Sequence, residues 1–228
     1  MRSTTKINSA LTYYLKSIFL IIKKVENWYW LWLTFFKVPL KVKLKKPKLQ
    51  FYAASLMQVW TIKEVCLDQF YLRFVKLKKN WQIIDIGAGL GDFSIFSSYL
   101  VKKVFSYDQN PITDRLFIKN LKLNTVKNVF FHQQKANSLK QILKQNKLKT
   151  VDLLKLDCEG CEYELLNKAD NKTLNCFKRL TMEYHCFDKK QKQAFKKMKE
   201  KLFKNNYQIK MINNPVHTNI GYLYANKN

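Results

Sequence analysis

The chain has 228 residues, of which 47% are hydrophobic and 14% aromatic, so a disordered chain is excluded and one α/β domain with an appendage fits. Its net charge of +26 comes almost wholly from lysine, because arginine occurs only at four positions. Arginine is the usual residue for paired contacts to phosphate and guanine. We therefore expect codon-biased surface lysines and no dedicated nucleic-acid site, with attraction to anionic lipid, glycan or RNA as the alternative.

The N-terminal segment predicts a helix with one apolar side. Apolar residues recur there at steps of three and four: Leu11, Leu15, Ile18, Ile22, Val25, Tyr29, Trp32 and Phe36. Lys16 interrupts the segment, so we expect neither a signal peptide nor a membrane-spanning helix. Two interpretations stay open: the helix, or a helix pair, packs on the rest of the chain, or residues 7–37 contact an anionic membrane peripherally.

Pro39 ends this helix, and alternating residues from Leu40 to Phe51 predict a short β-hairpin. The pattern from Trp60 to Val75 is helical. We assign residues 1–54 to a helical extension with the hairpin, and residues 55–228 to the main domain.

From Trp81 onward the sequence alternates between strand and helix patterns. The predicted strands are Trp81–Ile86, Val104–Asp108, Asn128–His132, Val151–Leu156, Arg179–Glu183, Tyr207–Ile212 and Ile220–Ala225. The predicted helices are Gly91–Val101, Pro111–Asn124, Ser138–Asn146, Cys161–Asn167 and Lys189–Asn205. This order predicts a Rossmann-like α/β fold, with a mostly parallel seven-stranded sheet and an antiparallel C-terminal hairpin at its edge.

A glycine-rich turn follows the first of these strands. Gly87, Gly89 and Gly91 have the spacing G-x-G-x-G, where dinucleotide sites use G-x-G-x-x-G. Asp92 opens the next helix, and its carboxylate would repel a diphosphate at the helix N-terminus. A ligand without phosphates fits better. S-adenosylmethionine has none, and its ammonium group would suit Asp85 nearby.

Acidic residues also close the later strands. Asp108 ends the second strand, where a carboxylate can accept hydrogen bonds from both hydroxyls of a ribose. Four polar residues end the fourth and fifth strands: Asp157, Glu159, Glu183 and His185. Because ligands bind beyond the carboxyl ends of parallel strands, we expect these four to converge around a reaction centre.

The glycine turn, the run Tyr-Asp-Gln-Asn-Pro and the run Leu-Lys-Leu-Asp-Cys-Glu-Gly-Cys-Glu together resemble the FkbM-type methyltransferase family over about residues 55–225. The resemblance implies the class I methyltransferase fold and, commonly, O-methylation of sugars or other small hydroxylated products. Carried over by position, it implies a cofactor site for S-adenosylmethionine formed by Glu64, Asp85, Gly87, Ala88, Gly89, Gly91, Asp108, Gln109 and Asn110. The same comparison implies catalytic roles for Asp157, Glu159, Glu183 and His185.

The chain departs from the family pattern at two places. Asp108 stands where members usually have glutamate, and Cys158 and Cys161 stand where small apolar residues are usual. The shorter acid can still reach a ribose. We expect the cysteines to be small buried thiols in a reducing cytosol and not zinc ligands, because no second pair has zinc spacing.

A hydroxyl acceptor needs a base, and we expect His185 or Asp157 to serve, with Mg²⁺ held by oxygen ligands as the alternative. We expect a cytoplasmic enzyme, peripheral on the inner face of the membrane if the N-terminal helix binds lipid, with a small-molecule or glycan acceptor. Two other classes stay open: an RNA-binding or RNA-modifying protein, and a membrane-surface protein anchored by the aromatic helix.

Overall fold

The computed structural model describes residues 2–36 and 38–227, with side chains described from residue 10 onward. The N-terminal region contains helix α1 (Arg2–Lys24), a 3₁₀ helix (Trp28–Phe36) and strands β1 (Leu40–Lys43) and β2 (Gln50–Ala53). The two strands form the predicted antiparallel hairpin, in which Leu40 pairs with Ala53. None of the helices in the described part of the chain combines the length and apolarity needed to cross a bilayer.

The N-terminal apolar stripe does not form one continuous helix, so of the alternatives left open a helix pair describes it better. It breaks after Lys24, because Val25 leaves the helix to form a β-bridge with Leu44 of the hairpin. The Asn27 side chain donates to the Lys41 carbonyl and accepts from the Lys43 amide. These bonds replace helical ones, so the aromatic segment Trp28–Phe36 forms a separate 3₁₀ helix.

The segment predicted as one helix from Trp60 to Val75 has three parts. Helix α2 (Leu56–Lys63) is capped by the preceding Ser55, whose side chain accepts from the Gln58 amide. A single π turn (Glu64–Asp68) and a 3₁₀ turn (Phe70–Leu72) follow. Gln69 lies between them in the left-handed conformation, with φ of 55°, and ends the helical run.

The main sheet contains strands β3 (Gln82–Ile86), β4 (Lys103–Asp108), β5 (Val129–Gln133), β6 (Leu153–Leu156), β7 (Arg179–His185), β8 (Tyr207–Asn213) and β9 (Ile220–Lys227). The helices that cover it are α3 (Asp92–Ser98), α4 (Pro111–Leu123), α5 (Leu139–Gln145), α6 (Glu162–Lys168), α7 (Asn171–Leu174) and α8 (Lys189–Lys204). The seven strands and five helices predicted from Trp81 onward are all present. The short helix α7 was not predicted, and α3 ends at Ser98, before the predicted Val101.

The strand order is β5–β4–β3–β6–β7–β9–β8. Strands β3 to β7 are parallel, and β9 is antiparallel to both β7 and β8, which confirms the predicted edge hairpin. Strand β9 lies inside this edge, and its residues 221–225 are all buried, whereas Tyr207 is the one fully buried residue of the outer strand β8. From β3 the chain adds β4 and β5 on one side of the sheet and then continues with β6 and β7 on the other side. Ligands of open α/β sheets bind at such a topological switch point, which here lies at the carboxyl end of β3.

Two apolar cores cover the two faces of the sheet. One contains Trp81 and Phe93 together with Val25, Leu44 and Phe51 of the N-terminal region. The hairpin is also hydrogen-bonded to α4, where Asn120 and Asn124 contact the backbone of β2. The N-terminal extension therefore shares a core with the sheet. The boundary at residues 54 and 55 stays a prediction.

Candidate active site

A cavity of about 490 Å³ lies at the carboxyl ends of β3, β4, β6 and β7. Its volume is in the range of pockets that hold drug-sized ligands. Eleven of the thirteen predicted site residues line it: Glu64, Gly87, Ala88, Gly89, Asp108, Gln109, Asn110, Asp157, Glu159, Glu183 and His185. The other two, Asp85 and Gly91, do not line the cavity.

The glycine turn wraps the end of β3. The amides of Gly87 and Ala88 both donate to the Tyr107 carbonyl on β4, at 2.9 and 3.1 Å. Gly87 has φ of 75°, and a Cβ atom there would lie 1.7 Å from the Asp157 carbonyl oxygen. At Gly91, which has φ of 88°, a Cβ would lie 2.1 Å from the Phe117 ring. The missing side chains of these two glycines let the turn pack closely against the Asp157 backbone and the Phe117 ring. Gly91 therefore shapes the turn without lining the cavity.

Asp108 holds the loop opposite the turn. One carboxylate oxygen accepts from the Gly89 amide and the other from the Asn110 amide, both at 2.8 Å. The side chain is half-buried at the cavity wall. A carboxylate offers about four lone-pair positions, so Asp108 keeps acceptor capacity for a ligand hydroxyl.

Asp85 requires a correction, because its carboxylate does not reach the cavity. The side chain is fully buried and forms an ion pair with Lys155 Nζ at 3.0 Å. Its other oxygen accepts from the Ser94 hydroxyl at 2.6 Å. The ammonium group of Lys155 also donates to the Gly87 carbonyl at 2.8 Å. Asp85 therefore acts on the glycine turn through Lys155, and direct contact with a cofactor ammonium group is not what the structure shows.

Lys155 lines the cavity in addition to the predicted site residues. Burial alone would lower its pKa, but the carboxylates of Asp85, Asp157 and Asp92 outweigh burial and raise it. The ammonium group is 3.7 Å from Asp157 Oδ2. The sequence contains one indication of this role, because Lys155 interrupts the otherwise apolar strand Leu-Leu-Lys-Leu. A charge buried in such a strand requires a charged or polar partner.

Asp157 is held in place by two neighbours. The Tyr71 hydroxyl donates to its Oδ2 atom at 2.7 Å, and Lys155 provides the positive charge. Tyr71 is itself buried, and burial together with the charge of Asp157 raises its pKa. Tyr71 comes from the 3₁₀ turn far upstream in the chain, so no local pattern indicated it.

Glu183 and His185 project from the end of β7 towards the same cavity. His185 Nε2 is 3.9 Å from Glu183 Oε2. Burial, together with the nearby charges of Asp157 and Glu64, raises the pKa of Glu183 to about 8. The charge of Lys155 and, to a smaller extent, the Tyr222 hydroxyl partly offset this rise. This carboxyl therefore changes protonation near neutral pH, as a general base requires.

Glu64 closes the cavity on the side of α1 and α2. It accepts from the Tyr13 hydroxyl at 2.7 Å and from Trp60 Nε1 at 3.1 Å. Burial raises the pKa of Glu64, while these bonds and the Lys63 charge oppose the rise. Helix α1 is thereby attached to the wall of the cavity.

The loop after β6 corrects the expectation for the cysteines. Cys158 and Cys161 both line the cavity and are joined by a disulfide, where free thiols were expected. Glu162 is buried and accepts from the amides of Cys158 and Gly160, both at 2.8 Å, which fixes the loop. Glu159, with φ of 52°, is exposed at the cavity rim.

The lining is strongly acidic although the chain is basic. Six acidic side chains contribute to it: Glu64, Asp92, Asp108, Asp157, Glu159 and Glu183. The lysines in the lining are Lys135 and Lys155. Burial raises the pKa of Asp92 to about 7, although Lys155 opposes the rise.

Within the described residues, no group of three or more His, Cys, Asp or Glu side chains is arranged to hold a metal ion, so the Mg²⁺ alternative gains no support.

The strand order and the position of the cavity define the Rossmann-like class I methyltransferase fold. The sequence profile of the methyltransferase FkbM domain matches residues 85–209. The chain belongs to the FkbM methyltransferase family. No curated protein sequence matches it significantly.

Several solved methyltransferases have a similar fold. An rRNA methylase from Streptococcus thermophilus is 15% identical with a TM-score of 0.54, and the match covers 75% of this chain and 94% of that one. A precorrin-6y C5,15-methyltransferase from Geobacter metallireducens is 18% identical with a TM-score of 0.53, over 73% and 88%. Fibrillarin from Aeropyrum pernix, with natively bound S-adenosyl-L-methionine, is 13% identical with a TM-score of 0.52, over 81% and 92%. At these identities the likeness shows the fold alone.

Proposed function

We propose that this methyltransferase uses S-adenosylmethionine to methylate a hydroxyl group of a sugar, a glycan or a small metabolite. The observation that carries the proposal is the acidic cavity in a chain of net charge +26. A sulfonium cofactor with an ammonium group suits such a lining, whereas a polyphosphate would be repelled. The same repulsion disfavours a nucleic-acid backbone inside the cavity.

The residues around the glycine turn fit this cofactor. A Cβ atom at Gly89 would meet no atom within 4 Å, so the backbone is open to a ligand there. Asp108 would accept hydrogen bonds from ribose hydroxyls with the acceptor capacity that its two amide bonds leave. The contacts described for Asp157 and Glu64 each use one carboxylate oxygen, which leaves the other oxygen of each for a cationic group of the cofactor. When bound, the cofactor supplies an electrophilic methyl group.

The residues at the end of β7 would prepare the acceptor. An alcohol is a weak nucleophile until its proton is removed, and Glu183 has a raised pKa that suits a general base. His185 Nε2 lies 3.9 Å from Glu183 Oε2, beyond hydrogen-bond distance, so it would help to position the acceptor hydroxyl beside Glu183. Asp157 is less suited to this role, because Tyr71 and Lys155 already occupy it. We therefore assign the base to Glu183 with His185, and we assign orientation and charge stabilisation to Asp157.

A radiolabelled transfer assay tests this function. The purified chain is incubated with methyl-tritiated S-adenosylmethionine and separate sugars, extracted glycans, small metabolites and RNA. We expect label in a hydroxyl-bearing acceptor as a methyl ether, which resists alkali, unlike a methyl ester. Label found only on nitrogen, or only in RNA, would contradict the acceptor class.

The assignment of the base has its own test. Glu183→Gln should lower kcat by about 10²–10⁴-fold while cofactor affinity stays close to that of the wild type. Glu164→Gln is the matched control, because Glu164 is exposed on α6, where it pairs with Lys168. Wild-type turnover in Glu183→Gln would show that another group removes the proton.

A further inference from the structure

Helix α1 and the 3₁₀ helix leave a large apolar surface uncovered. We call it the aromatic surface, and it comprises Leu11, Leu15, Ile18, Phe19 and Ile22 of α1 with Trp28, Tyr29, Trp30, Trp32, Phe35 and Phe36 of the 3₁₀ helix, all of them exposed. Phe35 and Phe36 are 71% and 68% exposed. Extended apolar patches of this kind on a folded chain mark interaction sites.

The apolar stripe of α1 does not form the contact between this helix and the rest of the chain. Among the described side chains of α1, the partly or fully buried positions are Ala10, Tyr13, Ser17, Leu20, Ile21 and Lys24, and the Tyr13 hydroxyl donates to Glu64 of the π turn. At 100° per residue, these six positions centre roughly 150° around the helix from the centre of the Leu11–Ile22 stripe. The helix is thus fixed to the chain by one side and presents its more apolar side outward.

Positive charge borders the aromatic surface. Residues 10–48 contain nine lysines and one acidic residue, Glu26. Four of the lysines are exposed on the hairpin: Lys43, Lys45, Lys46 and Lys48. The hairpin is joined directly to the end of α1, where the Lys45 amide donates to the Lys24 carbonyl at 2.8 Å. Among the described side chains, none of these four forms an ion pair with a carboxylate.

We propose that the aromatic surface binds the interface of an anionic lipid bilayer, with α1 and the 3₁₀ helix lying in the plane of the membrane. Tryptophan and tyrosine are the side chains favoured at headgroup depth, and phenylalanine and leucine reach the acyl boundary. Lysines beside them add attraction to anionic headgroups. A protein partner is the less suitable occupant, because lysine is depleted in the cores of protein–protein interfaces. This inference is independent of which acceptor is methylated.

Vesicle flotation tests the proposal with the full chain. Phosphatidylcholine vesicles with and without phosphatidylglycerol are the probes, and we expect flotation with the anionic vesicles that weakens as salt is raised. The variant Phe35→Asn/Phe36→Asn should lower the partition coefficient by about tenfold or more. Phe187→Asn/Phe203→Asn is the matched control, because these rings are 58% and 76% exposed elsewhere on the chain.

The contribution of the hairpin lysines to membrane binding is tested against a charge-matched control. Replacing the four hairpin lysines with glutamine should weaken binding to anionic vesicles by at least about tenfold. The same number of replacements on α8, at Lys190, Lys192, Lys196 and Lys197, changes the net charge equally and should have a smaller effect. Circular dichroism of each variant establishes that it is folded.

Fluorescence reports on the inserted residues. Three of the five tryptophans belong to the aromatic surface, so brominated lipid should quench the emission of the bound chain. The proposal is overturned if the folded wild type does not float with anionic vesicles, if the control variants lose as much binding as the test variants, or if brominated lipid leaves the emission unchanged. A dimer that Phe35→Asn/Phe36→Asn dissociates, without vesicle binding by the wild type, would assign the surface to self-association and also overturn it.

Discussion

Replacing Lys155 with methionine removes the charge that holds three parts of the site together. Lys155 is 3% exposed, lies 3.0 Å from a carboxylate oxygen of the fully buried Asp85, and donates to the Gly87 carbonyl. Removing one partner of a buried ion pair leaves an uncompensated charge, which costs about 3–5 kcal/mol. We expect Lys155→Met to lower the free energy of unfolding by that amount and to weaken cofactor binding through the loosened glycine turn.

Urea unfolding followed by circular dichroism measures this loss, and a double-mutant cycle isolates the pair. Asp85→Asn/Lys155→Met should be clearly more stable than Lys155→Met alone, because the isolated buried charge is gone. Lys178→Met is the matched control: Lys178 pairs with Asp152 at 2.8 Å, but its side chain is 53% exposed, so its loss should cost about 1 kcal/mol or less. If Lys155→Met costs no more than this control, the reasoning about the buried pair is wrong.

Two further predictions concern the glycine turn and the proposed base. Gly87→Ala should destabilise the fold by at least about 2 kcal/mol, because the new Cβ meets the Asp157 carbonyl at a positive φ; Gly160→Ala, which is strained but meets no atom within 4 Å, should cost less by the same denaturation measurement. Since the pKa of Glu183 rises from 4.5 to about 8 on folding, the folded chain holds a proton that the unfolded chain releases, so stability should fall as pH rises across this interval. Glu183→Gln should flatten that fall in urea titrations at several pH values, whereas the exposed Glu200→Gln should not; an unchanged slope in Glu183→Gln would contradict the raised pKa.

The succession of strands along the chain and the position of the cavity could be predicted because each has a local signal. The apolar strand before Gly87, the acid at Asp108 and the polar residues after β6 and β7 are read directly from the sequence. Parallel strands with right-handed crossovers then bring their carboxyl ends together. The capping residue and proline at the start of α4, Asn110 and Pro111, also fixed a helix boundary closely.

Other features depended on which side chains meet across the fold. Asp85 and Lys155 are register partners on β3 and β6, so the pair appears only when these strands are placed side by side. Tyr71 approaches Asp157 from 86 residues away. The outward orientation of the α1 stripe also lacked a signal, because periodicity shows that a helix has an apolar side but not what that side contacts.

The binding of S-adenosylmethionine tests the central claim most directly. Isothermal titration calorimetry on the folded wild type should detect binding of the cofactor and of its demethylated product. Asp108→Asn should weaken that binding by about tenfold or more, because it removes charge-assisted hydrogen bonds to the ribose. Asp170→Asn, which changes an exposed helix-capping aspartate in the same way, should bind as the wild type does. A folded wild type that takes up neither compound would contradict the account.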